Sequence, residues 1–188
     1  MASSDASFRR YFRWQGGEHS LILMDAPPPQ EDCRPFVKVA GLLAEAGVHV
    51  PQILAADLER GFLLLSDLGR QTYLEVIDAD NAEPLFAAAL QALLAFQRLP
   101  MDAPLPSYDE ALLRRELLLF PEWYLQRHLG LELSSAQQAA WERTCRLLID
   151  SALAQPRVLV HRDYMPRNLM LSTRTPGCWI SRTRSTGR

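Results

Sequence analysis

The stretch VLVHRDYMPRNLML, residues 158–171, constrains this chain more than any other. Its apolar ends read as short strands, Val158 to Val160 and Leu169 to Leu171. Between them lie His161-Arg162-Asp163, four further residues and Asn168. A carboxylate beside a substrate hydroxyl can accept its proton as phosphorus is attacked. An amide a few residues on can hold Mg²⁺ against nucleotide phosphates. This spacing is the catalytic-loop pattern H-R-D-x-x-x-x-N, which makes Asp163 the candidate base and Asn168 the candidate metal ligand.

The residues before the loop divide into two kinds. From Asp5 to Pro29 the chain alternates as two strands around Gln15-Gly16-Gly17, the second running from Ser20 to Met24. Phe36, Val39, Ala40, Leu43 and Ala46 then share a helical face that Gly47 stops. A hairpin follows, turning near Glu59-Arg60-Gly61 and leaving through Ser66-Asp67-Leu68-Gly69. After Gly69 the periodicity becomes helical. One helix starts at Asp80 and Glu83 and carries Leu85, Phe86, Ala89, Leu90, Leu93 and Leu94 on its apolar face. A second is interrupted at Pro121, and its Phe120, Trp123 and Tyr124 read as core. A third starts at Ser134 with Gln137 and buries Trp141, Cys145, Leu148, Ile149 and Ala152. The expected organisation is a small β-rich lobe over residues 1–69, a helical lobe over 70–177, and a tail over 178–188.

Composition narrows the function classes. The net charge of −2 argues against a nucleic-acid-binding surface. The polar N-terminus and the lack of an apolar run near the length of a membrane span argue against secretion and insertion, so a cytoplasmic setting is expected. Cys33, Cys145 and Cys178 have no metal-binding spacing and read as reduced thiols.

The loop HRDYMPRNLM resembles that of the aminoglycoside phosphotransferase and choline kinase superfamily. DASFRRYFR, LLLSDLG and RELLLFPEWYL narrow the resemblance to the bacterial anomeric sugar kinases that act on N-acetylmuramate and N-acetylglucosamine in cell-wall recycling. The resemblance covers Asp5 to about Leu171. It implies an α+β, two-lobed, protein-kinase-like fold with an incomplete helical C-lobe. It also implies ATP and Mg²⁺ as cofactors, an amino-sugar acceptor, and a monomer with no nucleic-acid or membrane partner. Ser7, Phe8 and Arg9 would then lie in the loop over the ATP phosphates. Ser66, Asp67 and Leu68 would form the hinge whose backbone reads adenine. Glu45 would orient a cationic phosphate ligand, the alternative being a solvated helix residue. Other acceptors within the superfamily (an aminoglycoside, choline or homoserine) and a non-catalytic remnant are the competing readings.

Two departures stand out. The strand that carries the ATP-binding lysine in such kinases reads LILMDAP, with Met24 and Asp25, so Arg9, Arg10 or Arg13 would have to supply the cation. The second departure is the tail, GCWISRTRSTGR, which lacks the metal-binding Asp that kinase chemistry needs after the catalytic loop. From Tyr164 onward there is no Asp or Glu at all. Read one base out of frame, the codons of Cys178-Trp179 force Leu and those of Trp179-Ile180 force Asp. The flanking codons permit the family's VLDFQDAVYGP. The expectation is an out-of-frame tail without regular structure and an impaired kinase.

Overall fold

Alternation along the N-terminal segment builds one antiparallel sheet. A computed structural model describes residues 8–17, 19–100, 105–172 and 176–178, and the backbone of 185–187. β1 (Arg10–Gly16), β2 (His19–Asp25), β3 (Ile53–Asp57) and β4 (Phe62–Ser66) lie in the order β1-β2-β4-β3. Tyr11, Met24 and Leu63 are in register across three strands and are all buried, so one side of the sheet is apolar. Phe12 and Leu23, one residue along, are exposed. The β3–β4 turn needs Gly61, which has φ +77°, and a Cβ there would sit 2.0 Å from the Ala26 carbonyl oxygen. Between β2 and β3, α1 (Arg34–Glu45) buries Phe36, Val39, Ala40 and Leu43 and stops at Gly47, with φ +75°.

The chain forms two compact units. The first takes residues 1–99 and 161–184, the second 100–160 and 185–188. The division does not fall at Gly69–Thr72. α2 (Tyr73–Val76), α3 (Ala82–Gln97) and the described residues of 161–184 belong with the sheet. Main-chain pairing explains this: Leu171 N–H donates to the Gln71 carbonyl at 2.8 Å, and Thr72 bridges Met170.

α3 starts at Asn81 rather than through Asp80 and Glu83, and only Ala89 and Phe96 are buried along it. Phe86, Leu90 and Leu94, expected on the buried face, are exposed, because the helix is apolar around most of its circumference and buries only one stripe.

In the second unit, β5 (Ser107–Tyr108) precedes α4 (Glu110–Leu119), which Asp109 caps by accepting from Leu112 N–H at 3.0 Å. At Pro121 the helix widens into a π-helical segment, Phe120–His128. Phe120, Trp123 and Tyr124 are not core as expected; about half of each is exposed. Instead they pack along the helix surface, Phe120 stacking on Tyr124 and Tyr124 on His128, with the Arg127 guanidinium 3.9 Å above Trp123. α5 (Ser135–Leu153) begins with the Ser134–Gln137 capping box, and buries Cys145 and Ile149 while leaving Leu148 half exposed.

β6 (Val158–Val160) leads to the catalytic-type loop and β7 (Leu169–Met170) leaves it. β7 pairs with β8 (Gly177–Cys178), and β6 with β9 (Ser185–Gly187), which also lies parallel to β5. The tail was expected to lack regular structure, and β8 and β9 correct that. Edge-strand N–H and C=O groups accept a partner backbone whatever its side chains, so no apolar pattern is needed.

One ionic cluster joins β1 to the residues that follow β4. Arg13 donates to both Asp67 oxygens, through Nε at 2.6 Å and a terminal nitrogen at 3.0 Å, and to the Gly69 carbonyl at 2.6 Å. Ser20 Oγ and Gly69 N–H also donate to Asp67. Burial pushes the Asp67 carboxyl up, but hydrogen bonds from Arg13, Ser20 and Gly69 and the Arg13 charge outweigh it, holding the group below its ordinary range. A depressed carboxyl stabilises the fold above its unfolded value of 3.8, and that contribution is lost as pH falls through the lower folded value. Asp67→Ala should therefore cost about 2–3 kcal/mol at neutral pH, by stranding Arg13. In thermal melts from pH 7 down to pH 2, the gap between wild type and variant should narrow below about pH 4.

Candidate active site

The site begins with a strained turn. Arg162, in the loop between β6 and β7, has φ +67°, the left-handed region that non-glycine residues rarely occupy. This turns the chain sharply after β6 and sets Asp163, half-buried, at the next position. Pro166–Asn168 then forms a single 3₁₀ turn, with Asn168 N–H donating to the Met165 carbonyl at 2.8 Å. Asn168 is 5% exposed, and its Nδ2 donates to the Asp163 main-chain oxygen at 2.9 Å. The two residues singled out by their spacing are thus joined directly. Asn168 Oδ1 accepts no hydrogen bond from a described residue. A neutral amide oxygen in that position suits a hard cation such as Mg²⁺. No group of three His, Cys, Asp or Glu side chains among the described residues forms a complete metal site.

Side chains around the loop lock it from below. His161 is 3% exposed, and its Nε2 lies 3.3 Å from Cys178 Sγ. Its ring meets Phe96 and Tyr164 edge-on. Tyr164 donates its hydroxyl to the Ala89 carbonyl at 2.6 Å, which ties the loop to α3. Burial pushes the Tyr164 phenol above its ordinary range, so it stays a donor. Cys178 N–H donates to the His49 carbonyl at 2.7 Å, and His49 Nδ1 lies 3.1 Å from Ser172 Oγ. The roles of Tyr164, Cys178 and His49 were not visible in the sequence: Tyr164 fills a variable position of the loop motif 75 residues from Ala89, and His49 stands 123 residues from Ser172.

Ser66, Asp67 and Leu68, expected to form a hinge that reads adenine, each have a different set of partners. Ser66 is committed to Gln52 through both its N–H and its Oγ. The Asp67 side chain is consumed by Arg13, Ser20 and Gly69. Leu68 buries its side chain, while its backbone N–H and C=O take no partner among the described residues. Of the residues expected to lie over the ATP phosphates, Ser7 lies outside the described residues, Phe8 is 66% exposed, and Arg9 is bonded to Glu31. Glu45 ends α1, exposed and without a hydrogen bond or ion pair to a described residue. The structure brings Asp163 together with Asn168. It joins no cation to Glu45.

The family comparisons fit this geometry. A model of the APH phosphotransferase enzyme family matches residues 2–179. Over 176 residues, 94% of this chain, the sequence is 74% identical to the N-acetylmuramate/N-acetylglucosamine kinase of Pseudomonas putida. It is 73% identical over the same length to the protein of that name from Pseudomonas aeruginosa. These matches cover 52% of each relative, so the chain spans about half the length of the curated relatives it matches. Among solved structures, an aminoglycoside-3'-phosphotransferase of type VIII superposes with a TM-score of 0.64 at 17% identity, over 100% of this chain and 72% of that one. A macrolide 2'-phosphotransferase type I gives 0.66 at 15% identity, over 95% and 64%. At such identities the likeness is one of fold, the α+β protein-kinase-like fold. The HRD-type loop and the match over nearly the whole sequence lead to one conclusion: the chain belongs to the APH phosphotransferase enzyme family.

Proposed function

We propose that this chain carries the phosphoryl-transfer site of an ATP-dependent kinase acting on the anomeric hydroxyl of an N-acetylated amino sugar, N-acetylmuramate or N-acetylglucosamine. The bond from Asn168 Nδ2 to the Asp163 carbonyl carries the reading, because it fixes base and metal ligand on one rigid turn. The names of the Pseudomonas relatives supply the acceptor class.

The chemistry follows from the positions. The acceptor oxygen attacks the γ-phosphorus, the bond to the bridging oxygen breaks, ADP departs, and the hydroxyl proton passes to the Asp163 carboxylate. The backbone N–H and C=O of Leu68 are available to adenine. Asn168 Oδ1 would hold Mg²⁺, whose charge neutralises the β- and γ-phosphates when bound. In the chain whose reading frame is repaired as described below, Asp163→Asn should lower turnover by at least about a hundredfold while leaving ATP affinity within about threefold, as measured by sugar 1-phosphate formation and by calorimetry. Equal turnover in the variant would remove Asp163 as the base.

Asn168→Ala removes both the loop bond and the metal ligand. It should lower stability by about 1–2 kcal/mol in denaturant unfolding and weaken the Mg²⁺ dependence of nucleotide binding. An unchanged Mg²⁺ titration would assign the metal elsewhere.

We infer further that the residues from Cys178 onward are read out of frame. The support is the codon agreement at Cys178-Trp179-Ile180 and the end of the family match at residue 179. Without the carboxylate that the shifted frame restores, the chain should turn over sugar slowly or not at all. Repairing the frame by one base near the Gly177 codon, with its downstream DNA, should raise sugar 1-phosphate formation by orders of magnitude. Robust turnover by the unrepaired chain would reject the inference, and an inactive repaired chain that binds ATP would point to another acceptor.

A further inference from the structure

The buried residues of α3 are Ala89 and Phe96, two turns apart on one face of the helix. Both meet the loop that holds Asp163. The Phe96 ring lies edge-on to His161, with centroids 6.3 Å apart, and His161 lies edge-on to Tyr164 at 5.1 Å. The Ala89 carbonyl accepts the Tyr164 hydroxyl at 2.6 Å. His161 and Tyr164 directly flank Arg162-Asp163, so both sides of that dipeptide are anchored to one helix.

The dipeptide needs its anchors. Arg162 has φ +67°, a conformation that a non-glycine residue keeps only where its surroundings over-determine it. Asn168 Nδ2 holds the Asp163 carbonyl from the far side of the loop, at 2.9 Å. Ring contacts tolerate sliding, whereas a hydroxyl bond fixes both distance and direction. Burial raises the Tyr164 phenol, so the hydroxyl keeps the proton that it donates. A base must lie within hydrogen-bond reach of the proton it takes, and a misplacement of about 1 Å costs about a hundredfold in rate. We propose that Tyr164 is a positioning residue for Asp163: its hydroxyl bond to α3 holds the strained Arg162-Asp163 turn where the carboxylate reaches the acceptor hydroxyl. This deepens the kinase reading above and rests on it.

Tyr164→Phe keeps the ring and removes the hydroxyl alone. In the chain as it stands, amide hydrogen exchange followed by mass spectrometry should speed up about tenfold across residues 161–170. Exchange in the β1–β2 hairpin should stay unchanged, which also shows that the variant is folded. In the frame-repaired chain the variant should lower kcat about tenfold, the scale of one hydrogen bond, with KM for ATP and for the sugar within about twofold. Added to Asp163→Asn, it should lower kcat no further, because a residue that acts through Asp163 then has nothing to position. Tyr164→Leu removes the ring as well and should show the same split with a larger loss of kcat. Unchanged loop exchange or unchanged kcat in Tyr164→Phe would overturn the proposal. A tenfold loss that persists in the Asp163→Asn background would overturn it too, leaving a purely structural bond. A repaired wild type that neither binds ATP nor turns over sugar would overturn the kinase reading, and the positioning role with it.

Discussion

The hydrogen bond from Leu171 N–H to the Gln71 carbonyl is the join on which the candidate site depends. It fastens the strand leaving the catalytic-type loop to the chain leaving the hinge. The Thr72–Met170 bridge lies beside it, and Thr72 also starts α2 through a capping box with Glu75. β7 pairs on with β8, and β8 with the His49 segment. Most of these contacts are between main-chain groups. Buried backbone donors and acceptors must be paired, so the loop's position is enforced by a cost that no single side-chain change removes.

Charge completes what the backbone begins. The first unit contains three arginine–carboxylate pairs near β1, and each joins segments distant in sequence. Arg9–Glu31 ties the start of β1 to the approach to α1, Arg10–Asp25 joins two strands, and Arg13–Asp67 joins β1 to the hinge. Arg13 and Asp67 are both largely shielded, so their pairing is screened less than that of a surface pair.

The second unit is organised differently. Its helices bury Cys145 and Ile149, while Leu119, Leu147, Leu148 and Leu131 are exposed together with the π-helical aromatics. Phe120 also lies against Trp141, so its rings find partners along the helix surface.

Asp163 and Asn168 could be read from the sequence because both identities fall in one contiguous loop, flanked by strands that alternate locally. The two hairpins, the helix over residues 34–45 and the capping box at Ser134 were legible for the same reason: each depends on neighbours a few residues away. Glu31 as the partner of Arg9, and Asp67 as the partner of Arg13, were not legible. Their separations of 22 and 54 residues leave no local trace, and several carboxylates could have served. The exposure of Phe86, Leu90 and Tyr124 and the pairing of β9 were hidden too. An apolar residue records that it can be buried, and only the neighbours brought by the fold decide whether it is. The sequence by itself determined the loop, its flanking strands and its family. The tertiary structure decided which arginine is oriented by which carboxylate, because a guanidinium's partner is set by long-range chain geometry and not by the residues beside it.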